Sequence, residues 1–229
     1  MPRMYGALCR PTPAPNNAPY QFTVNCDAAD SDICKSGTTV AFTEAEPQAD
    51  DITPRVMHIC PLFFSKNSKE TVNDLGSRQF GPPAKRGQPE TWCQGGNNFA
   101  WYEVAGHTLL HEMTHFDALG KYAGPPEVQE DDFKAHGTDD VGGLGKSYPV
   151  AARKLATLWQ KKPNGNYLVP YRNAESLAGS ALEIFMMSEC EEVSEIRLAR
   201  DFTLLVLCCR PVRQSARSPC RDILSPAWG

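Results

Sequence analysis

The segment His111-Glu112-Met113-Thr114-His115 combines three residue types that can perform metal-assisted hydrolysis. Four residues of an α-helix advance about 6 Å along the axis and return to nearly the same face, so both histidines can bind one Zn²⁺. Glu112 follows His111 by one position and can reach a water molecule at the metal and take its proton. The pattern therefore predicts a zinc site on a helix. The alternative is a helix that carries two histidines for packing alone.

A complete zinc site needs a third protein ligand, and the residues after the motif restrict its identity. The metzincin extension requires Gly three and His six residues past the second histidine. Those positions hold Ala118 and Lys121, which excludes that class. Glu127 and Glu130 are acidic, but their segment has no helical pattern. His107 would lie about 12 Å from the second histidine along a continuous helix, so we interpret it as a core residue or as support behind the ligands.

The remaining candidates lie in His136-Gly137-Thr138-Asp139-Asp140. HExxH followed by Gly-Thr-x-Asp resembles the aspzincins, the deuterolysin-type and lysine-specific fungal metalloendopeptidases. The resemblance implies that Asp140 is the third zinc ligand and that Asp139 is a variable, solvated loop residue. A carboxylate oxygen binds Zn²⁺ at about 2.0–2.2 Å and leaves the fourth position open. His136 is the alternative third ligand.

The family motif continues with a tyrosine that stabilises the transition-state oxyanion, and this chain departs from the motif there. The position three residues past Asp140 holds Gly143, and the next tyrosine is Tyr148. The resemblance implies that Tyr148 takes the catalytic role after a glycine-rich insertion of five residues loops out. The alternative is that Tyr148 packs at the start of a helix.

The segment Asn173-Ala174-Glu175 resembles the Asn-Ala-Asp segment of the family. An acidic residue near that segment is associated with a preference for lysine on the primed side of the cleaved bond. Glu175 is therefore a candidate substrate-binding residue for lysine or other basic side chains. The alternative is that a first-turn glutamate serves only the helix dipole.

Together these residues predict a zinc-dependent metalloendopeptidase in which His111, His115 and Asp140 hold one Zn²⁺. Glu112 would act as general base, and Tyr148 would donate to the oxyanion. The expected partners are protein or peptide substrates. The alternative function, which the displaced tyrosine favours, is a catalytically impaired zinc-binding secreted interaction protein, that is, a pseudopeptidase.

Three helices must position most of these residues. The motif lies in a helix that we expect over residues 99–119, with Asn98 as its N-cap and Gly120 as its stop. A second helix is expected over 149–160, because proline is favoured in a first turn. A third is expected over about 174–198, where apolar residues recur at helical spacing. The segment between the first two helices has the composition of a loop.

Short runs of β-branched and aromatic residues, bounded by Asp, Gly or Pro, precede the helices. They predict three strands, at residues 20–25, 38–42 and 55–60. We therefore expect an α+β fold that is zincin-like, with a mainly helical catalytic core and a small N-terminal β-sheet.

Composition divides the 229-residue chain into three parts. Residues 1–19 form a proline-rich leader without periodicity, which we expect to be extended or disordered. Residues 20–190 contain the motifs, and the resemblance identifies them as a zinc metallopeptidase domain. Residues 191–229 contain six of the thirteen arginines and none of the ten lysines, which marks an atypical C-terminal tail.

The overall composition excludes several classes of protein. With 41% hydrophobic and 22% charged residues, the chain is typical of a globular protein rather than a disordered or fibrous one. A net charge of −4 argues against a nucleic-acid partner. No apolar run reaches the roughly 18 residues of a membrane span, so we expect no membrane association. We expect a monomer.

Nine cysteines indicate an oxidising compartment, and their odd number leaves at least one unpaired. No apolar signal segment opens the chain. An extracellular, secreted protein is nevertheless expected from the cysteine count and the family resemblance. The expected disulfide formers lie in the resembling region and are Cys26, Cys34, Cys60, Cys93 and Cys190.

Overall fold

The computed structural model describes seven stretches of the chain, residues 22–44, 55–65, 75–94, 99–130, 133–140, 148–162 and 168–190. Four sequence-based predictions fall on other residues and lie outside the described part. They concern the leader 1–19, the N-cap Asn98, the insertion at Gly143 and the tail 191–229.

A three-stranded sheet contains the first elements, with its third strand in the centre. Strand β1 (Phe22–Cys26) pairs in parallel with β3 (Arg55–Ile59), and β2 (Ala41–Thr43) pairs with β3 in antiparallel orientation. Every second residue of β3 is buried, as expected for a strand with one face on the core. The three predicted strands are confirmed, with limits that differ by up to three residues.

In the described part of the chain, four α-helices follow the sheet: α1 (Ala105–Thr114), α2 (Asp117–Ala123), α3 (Tyr148–Lys161) and α4 (Ala174–Cys190). A short antiparallel hairpin, β4 (Val128–Glu130) and β5 (Phe133–Ala135), lies between α2 and α3. Single 3-10 turns occupy Pro61–Phe64, Leu75–Ser77, Phe99–Trp101 and Pro170–Arg172. The predicted α+β content is confirmed, as are the starts of α3 and α4.

The prediction of one continuous helix over 99–119 is wrong. One 3-10 turn is followed by the extended Val104, and only then does α1 begin. The chain leaves the helical conformation again at Phe116, where φ is −60° and ψ is 122°. Gly120, expected as a stop, lies inside α2, and Gly124 ends that helix in the left-handed conformation with φ 87°.

Gly120 is needed for close packing rather than for helix termination. A Cβ atom built on Gly120 would lie 1.8 Å from the carbonyl oxygen of His136. Only a residue without a side chain lets the backbone of 136–137 lie directly on α2. This contact joins α2 to the segment that follows β5.

Helix α4 lies at the centre of the fold because both larger hydrophobic cores use it. Its Leu177 packs in a core with residues of β3, of α2 and with the N-cap residue of α2, namely Met57, Ile59, Leu119, Ala123 and Phe116. Its Leu182 and Met186 pack in a second core with Trp92, Phe99, Tyr102 and Val104. Burial of each large side chain contributes about 1.5–3 kcal/mol. Helix α4 also packs along α1, which carries the histidines.

Two disulfides close long loops around these cores. Cys34 bonds Cys60 across 26 residues, and Cys93 bonds Cys190 across 97 residues. Loop-closure entropy alone would give each about 3–5 kcal/mol of stabilisation. Four of the five expected disulfide formers are therefore paired, whereas Cys26 is an exposed free thiol within the described part of the chain. Among the described residues, no helix has both the length and the apolar character needed to cross a bilayer.

Glu183 is an ionisable residue within the packed face of α4. It is 4% exposed, and its Oε2 atom has no hydrogen-bond partner among the described residues. Burial raises the pKa of Glu183 to about 7, although Arg153 on α3 acts in the opposite direction. The folded chain therefore holds this proton more tightly than the unfolded chain, so stability falls as pH rises from about 4.5 to 7.

Replacement of Glu183 by glutamine should remove this loss of stability. A pKa rise from 4.5 to about 7 corresponds to at most about 3–4 kcal/mol, and solvent relaxation around the carboxylate lowers that to about 1–2 kcal/mol. We expect Glu183→Gln to match the wild type in urea unfolding at pH 4.5 and to exceed it by that amount at pH 8.5. The exposed Glu189→Gln on the same helix is the control. Equal gains for the two variants at pH 8.5 would contradict the assignment.

Candidate metal centre

His111 and His115 lie at the C-terminal end of α1. His111 is in the last turn, and His115 is the C-cap residue with αR dihedrals, so the helical geometry still applies between them. Their rings are 5.1 Å apart between centroids and inclined at 70°. The two imidazoles therefore approach each other at one place, as the four-residue spacing predicts.

The ring of His115 is held by a backbone carbonyl. Its Nδ1 atom lies 2.7 Å from the carbonyl oxygen of Thr138. A carbonyl oxygen only accepts, so Nδ1 carries the hydrogen and donates it. The Nε2 atom of His115 is thereby left with its lone pair available to a metal ion.

The ring of His111 is held in the same way by a carboxylate. Its Nδ1 atom lies 3.2 Å from Oε2 of Glu175, the second residue of α4. Glu175 is 3% exposed and lies 64 residues away in the chain. A carboxylate behind a metal-binding histidine fixes the orientation of the ring and makes the other nitrogen a better ligand.

Asp140 brings a carboxylate oxygen close to the Nε2 atoms of both rings. Its Oδ1 lies 3.1 Å from Nε2 of His111 and 3.8 Å from Nε2 of His115. Oδ1 is buried, yet it has no hydrogen-bond partner in the described part of the chain. The three ligand atoms thus lie close enough together to bind one ion.

The segment that carries Asp140 is attached to the end of α1. The backbone N–H of Thr138 donates to the carbonyl of Thr114 at 3.0 Å, and the two threonine hydroxyls are 2.7 Å apart. A Cβ atom on Gly137 would lie 2.1 Å from the carbonyl oxygen of His115. The Gly-Thr pair is therefore what allows this segment to lie directly against the histidine helix.

The same segment is also attached to the start of α4. Asp139 forms a parallel bridge with Asn173, and its N–H donates to the carbonyl of Arg172 at 2.8 Å. The N–H of Ala174 donates back to the carbonyl of Asp139 at 3.1 Å. Asp140 thus follows a residue that is fixed on both sides by backbone hydrogen bonds.

Buried Arg172 stabilises the backbone segments that carry Asp140. Its guanidinium donates to the carbonyl oxygens of Pro126, Ala135 and His136. It gathers the backbone before and after the β4–β5 hairpin onto the start of α4. The sequence carries no signal for this role of Arg172, because a lone arginine before a helix belongs to no motif.

The site is strongly polarised in the metal-free chain. Burial alone would lower the pKa of His111, but the carboxylates of Asp140 and Glu175 raise it to about 10. The pKa of Asp140 lies below its ordinary value because the histidines oppose the effect of burial. The carboxylates therefore provide a negative field in which a cation can replace the proton on Nε2 of His111.

The remaining predicted site residues are His136, Asp139, Glu112 and Tyr148. His136, the alternative ligand, has its Nδ1 atom 3.0 Å from Oδ1 of Asp117 instead. Asp139 is exposed, and its carboxylate accepts the N–H of Asp140. Glu112 is buried next to His111. Tyr148 is the first residue of α3, and its side chain lies outside the described part.

The residues fit a zinc ion. Within the described residues, His111, His115 and Asp140 form a group whose ligand atoms all lie within 4.8 Å of one another. Two imidazole nitrogens and one carboxylate oxygen form a donor set that Zn²⁺ accepts, with a fourth position left for a water molecule or substrate. The buried, unpartnered Oδ1 of Asp140 is the observation that favours a bound cation.

Compared with known proteins, the chain matches no family model, no curated protein and no solved structure. The resemblance to the aspzincins therefore remains an expectation from the two motifs.

Replacement of Gly137 by alanine should displace Thr138 from the end of α1 and so release the ring of His115. Loss of such a supporting contact typically lowers metal affinity about 10- to 100-fold, and we expect that loss in a competitive zinc titration. Gly106→Ala is the matched control, because a Cβ atom there meets nothing within 4 Å. An unchanged affinity in Gly137→Ala would contradict the role of this contact.

Replacement of Asp140 by alanine should lower zinc affinity more than 100-fold, because removal of a ligand costs more than removal of its support. His136→Ala should leave the affinity nearly unchanged. Both are measured by competitive titration with a chromophoric chelator. A large loss in His136→Ala alone would make His136 the third ligand.

Proposed function

We propose that this chain is a zinc-dependent metalloendopeptidase with a zincin-like catalytic core. The observation that carries the proposal is the convergence of His111 Nε2, His115 Nε2 and Asp140 Oδ1, while the opposite nitrogen of each ring is already engaged. Two histidines one helical turn apart, with a glutamate directly after the first, match the chemistry of water activation for hydrolysis.

Access to the site supports a substrate larger than a single ion. The Asp140 side chain is 36% exposed, whereas the side chains of His111 and His115 are 8% and 12% exposed. Solvent therefore reaches part of the Asp140 side chain, although its Oδ1 atom is buried. A peptide substrate is proposed to approach from that side.

The mechanism assigns each residue a separate task. A bound zinc ion supplies Lewis acidity, which polarises the scissile carbonyl and acidifies the attacking water. Glu112 accepts the proton from that water and delivers it to the leaving amine nitrogen. Thr138 and Glu175 hold the two histidine rings in orientation. Tyr148 is the proposed donor to the oxyanion.

Substrate preference and location complete the proposal. Two disulfides belong in an oxidising compartment, which supports secretion and protein or peptide substrates outside the cell. A preference for lysine or basic side chains stays a prediction from the resemblance, but Glu175 is buried with its carboxylate against His107 and His111 and therefore does not reach a substrate. Mapping of cleavage sites on a mixed peptide library, with and without a chelator, tests it.

Replacement of Glu112 by glutamine should abolish nearly all cleavage while zinc stays bound. Removal of a general base costs about 10²–10⁴-fold in rate, whereas the three ligand atoms are untouched. Casein cleavage and zinc content are measured on the same samples. Undiminished proteolysis in this variant would contradict the mechanism.

The wild type provides the matching control. Chelation should remove its activity, and added zinc should restore it. Stoichiometric zinc without any cleavage by the wild type would instead support the alternative, a zinc-binding interaction protein that has lost catalysis.

A further inference from the structure

A second group of potential ligands lies behind the first. Within the described residues, Glu103, His107 and Glu175 have ligand atoms that all lie within 4.8 Å of one another. Glu103 precedes α1 by two residues, His107 lies in its first turn, and Glu175 lies in the first turn of α4. The group therefore occupies the contact between the N-terminal half of α1 and the start of α4.

The sequence places this group in line with the predicted zinc site. Glu103, His107, His111 and His115 follow one another at intervals of four residues. Each interval within α1 turns the chain about 40° beyond one full turn, so His107 and His111 remain on adjoining parts of one helix face, and Glu103 joins them from the residues before the helix. Potential metal ligands thus occur both at the C-terminal end of α1 and near its N-terminal end.

Two buried atoms of the group lack hydrogen-bond partners. His107 Nε2 lies 3.2 Å from Glu175 Oε1, and neither atom makes a hydrogen bond with any described residue. His107 is 7% and Glu175 is 3% exposed, so solvent does not satisfy these atoms either. At the first site, Oδ1 of Asp140 is likewise buried without a hydrogen-bond partner among the described residues.

We propose that Glu103, His107 and Glu175 bind a second divalent transition-metal ion, with Zn²⁺ as its first candidate. One imidazole and two carboxylates suit Zn²⁺, Co²⁺ or Mn²⁺, whereas Ca²⁺ and Mg²⁺ prefer oxygen ligands alone. Such an ion fills the position that the two unpartnered atoms face. It also neutralises the carboxylate of Glu175, which is buried between two imidazoles.

The second ion acts on the first site through Glu175. One oxygen of this carboxylate faces His107, and the other accepts the Nδ1 hydrogen of His111. An ion that fixes the first oxygen also fixes the second, and therefore the ring of His111. The second site is thus a structural site that positions a residue of the first.

Metal stoichiometry tests the proposal without reference to proteolysis. The full chain is dialysed against buffered Zn²⁺, and bound zinc per chain is measured by mass spectrometry. We expect two ions in the wild type and one each in Glu103→Ala and Asp140→Ala. The exposed Glu189→Ala on α4 should retain two. Because no activity is read, failure of the proposed peptidase function would leave this result unaffected.

A second variant guards against misfolding. His107→Leu keeps apolar contact with Phe99, whose ring packs edge-on against His107, and removes only the nitrogen ligands. With a far-ultraviolet circular dichroism spectrum like that of the wild type, it should also bind one ion. Visible absorption of the Co²⁺-substituted protein should lose one component in His107→Leu and the other in Asp140→Ala.

Two results would overturn the proposal. One is a wild-type chain that binds a single ion, which Asp140→Ala removes. In that case His107 and Glu175 form a direct ion pair. The other is a wild-type chain with two ions, both of which remain in Glu103→Ala and in His107→Leu.

Discussion

The direct contact between the backbone of Gly137 and the carbonyl of His115 is the constraint on which the site depends. It leaves no room for a Cβ atom, and it brings the Thr138 carbonyl to the ring of His115. Two residues further on, it also brings Asp140 to both histidines. This one close approach of main chains thus fixes the tautomer of His115 and brings Asp140 to the site. A side-chain contact at the surface would hold these groups less rigidly.

Helix α4 supplies the second half of this support. Its start is bridged to Asp139, its Glu175 holds His111, and its apolar residues take part in both larger cores. Burial of a charged glutamate is costly unless ions or hydrogen bonds compensate it. Here the compensation comes from His107 and His111, which are themselves candidate metal ligands. The same interactions therefore stabilise the α1–α4 contact and orient the site. Cation binding is therefore expected to stabilise the folded chain.

Local patterns allowed much of the fold to be predicted, and the failures have physical causes. Short strands, the starts of α3 and α4 and the mixed α+β content follow from periodicity and from turn residues. The division between α1 and α2 does not, because the break at Phe116 depends on packing against residues 136–138, which are distant in sequence. The prediction that Gly120 ends a helix fails for the same reason. Its lack of a side chain serves contact with His136 rather than helix termination.

The sequence by itself determined the residue types and the helical spacing of His111, Glu112 and His115, because a four-residue interval has the same geometry in any helix. It also nominated Asp140, through the Gly-Thr-x-Asp pattern. Only the tertiary structure decided which nitrogen of each ring faces Asp140, because the partners of the other nitrogens lie 23 and 64 residues away. It alone placed Glu175 between His107 and His111, since contacts between α1 and α4 leave no local pattern in the chain.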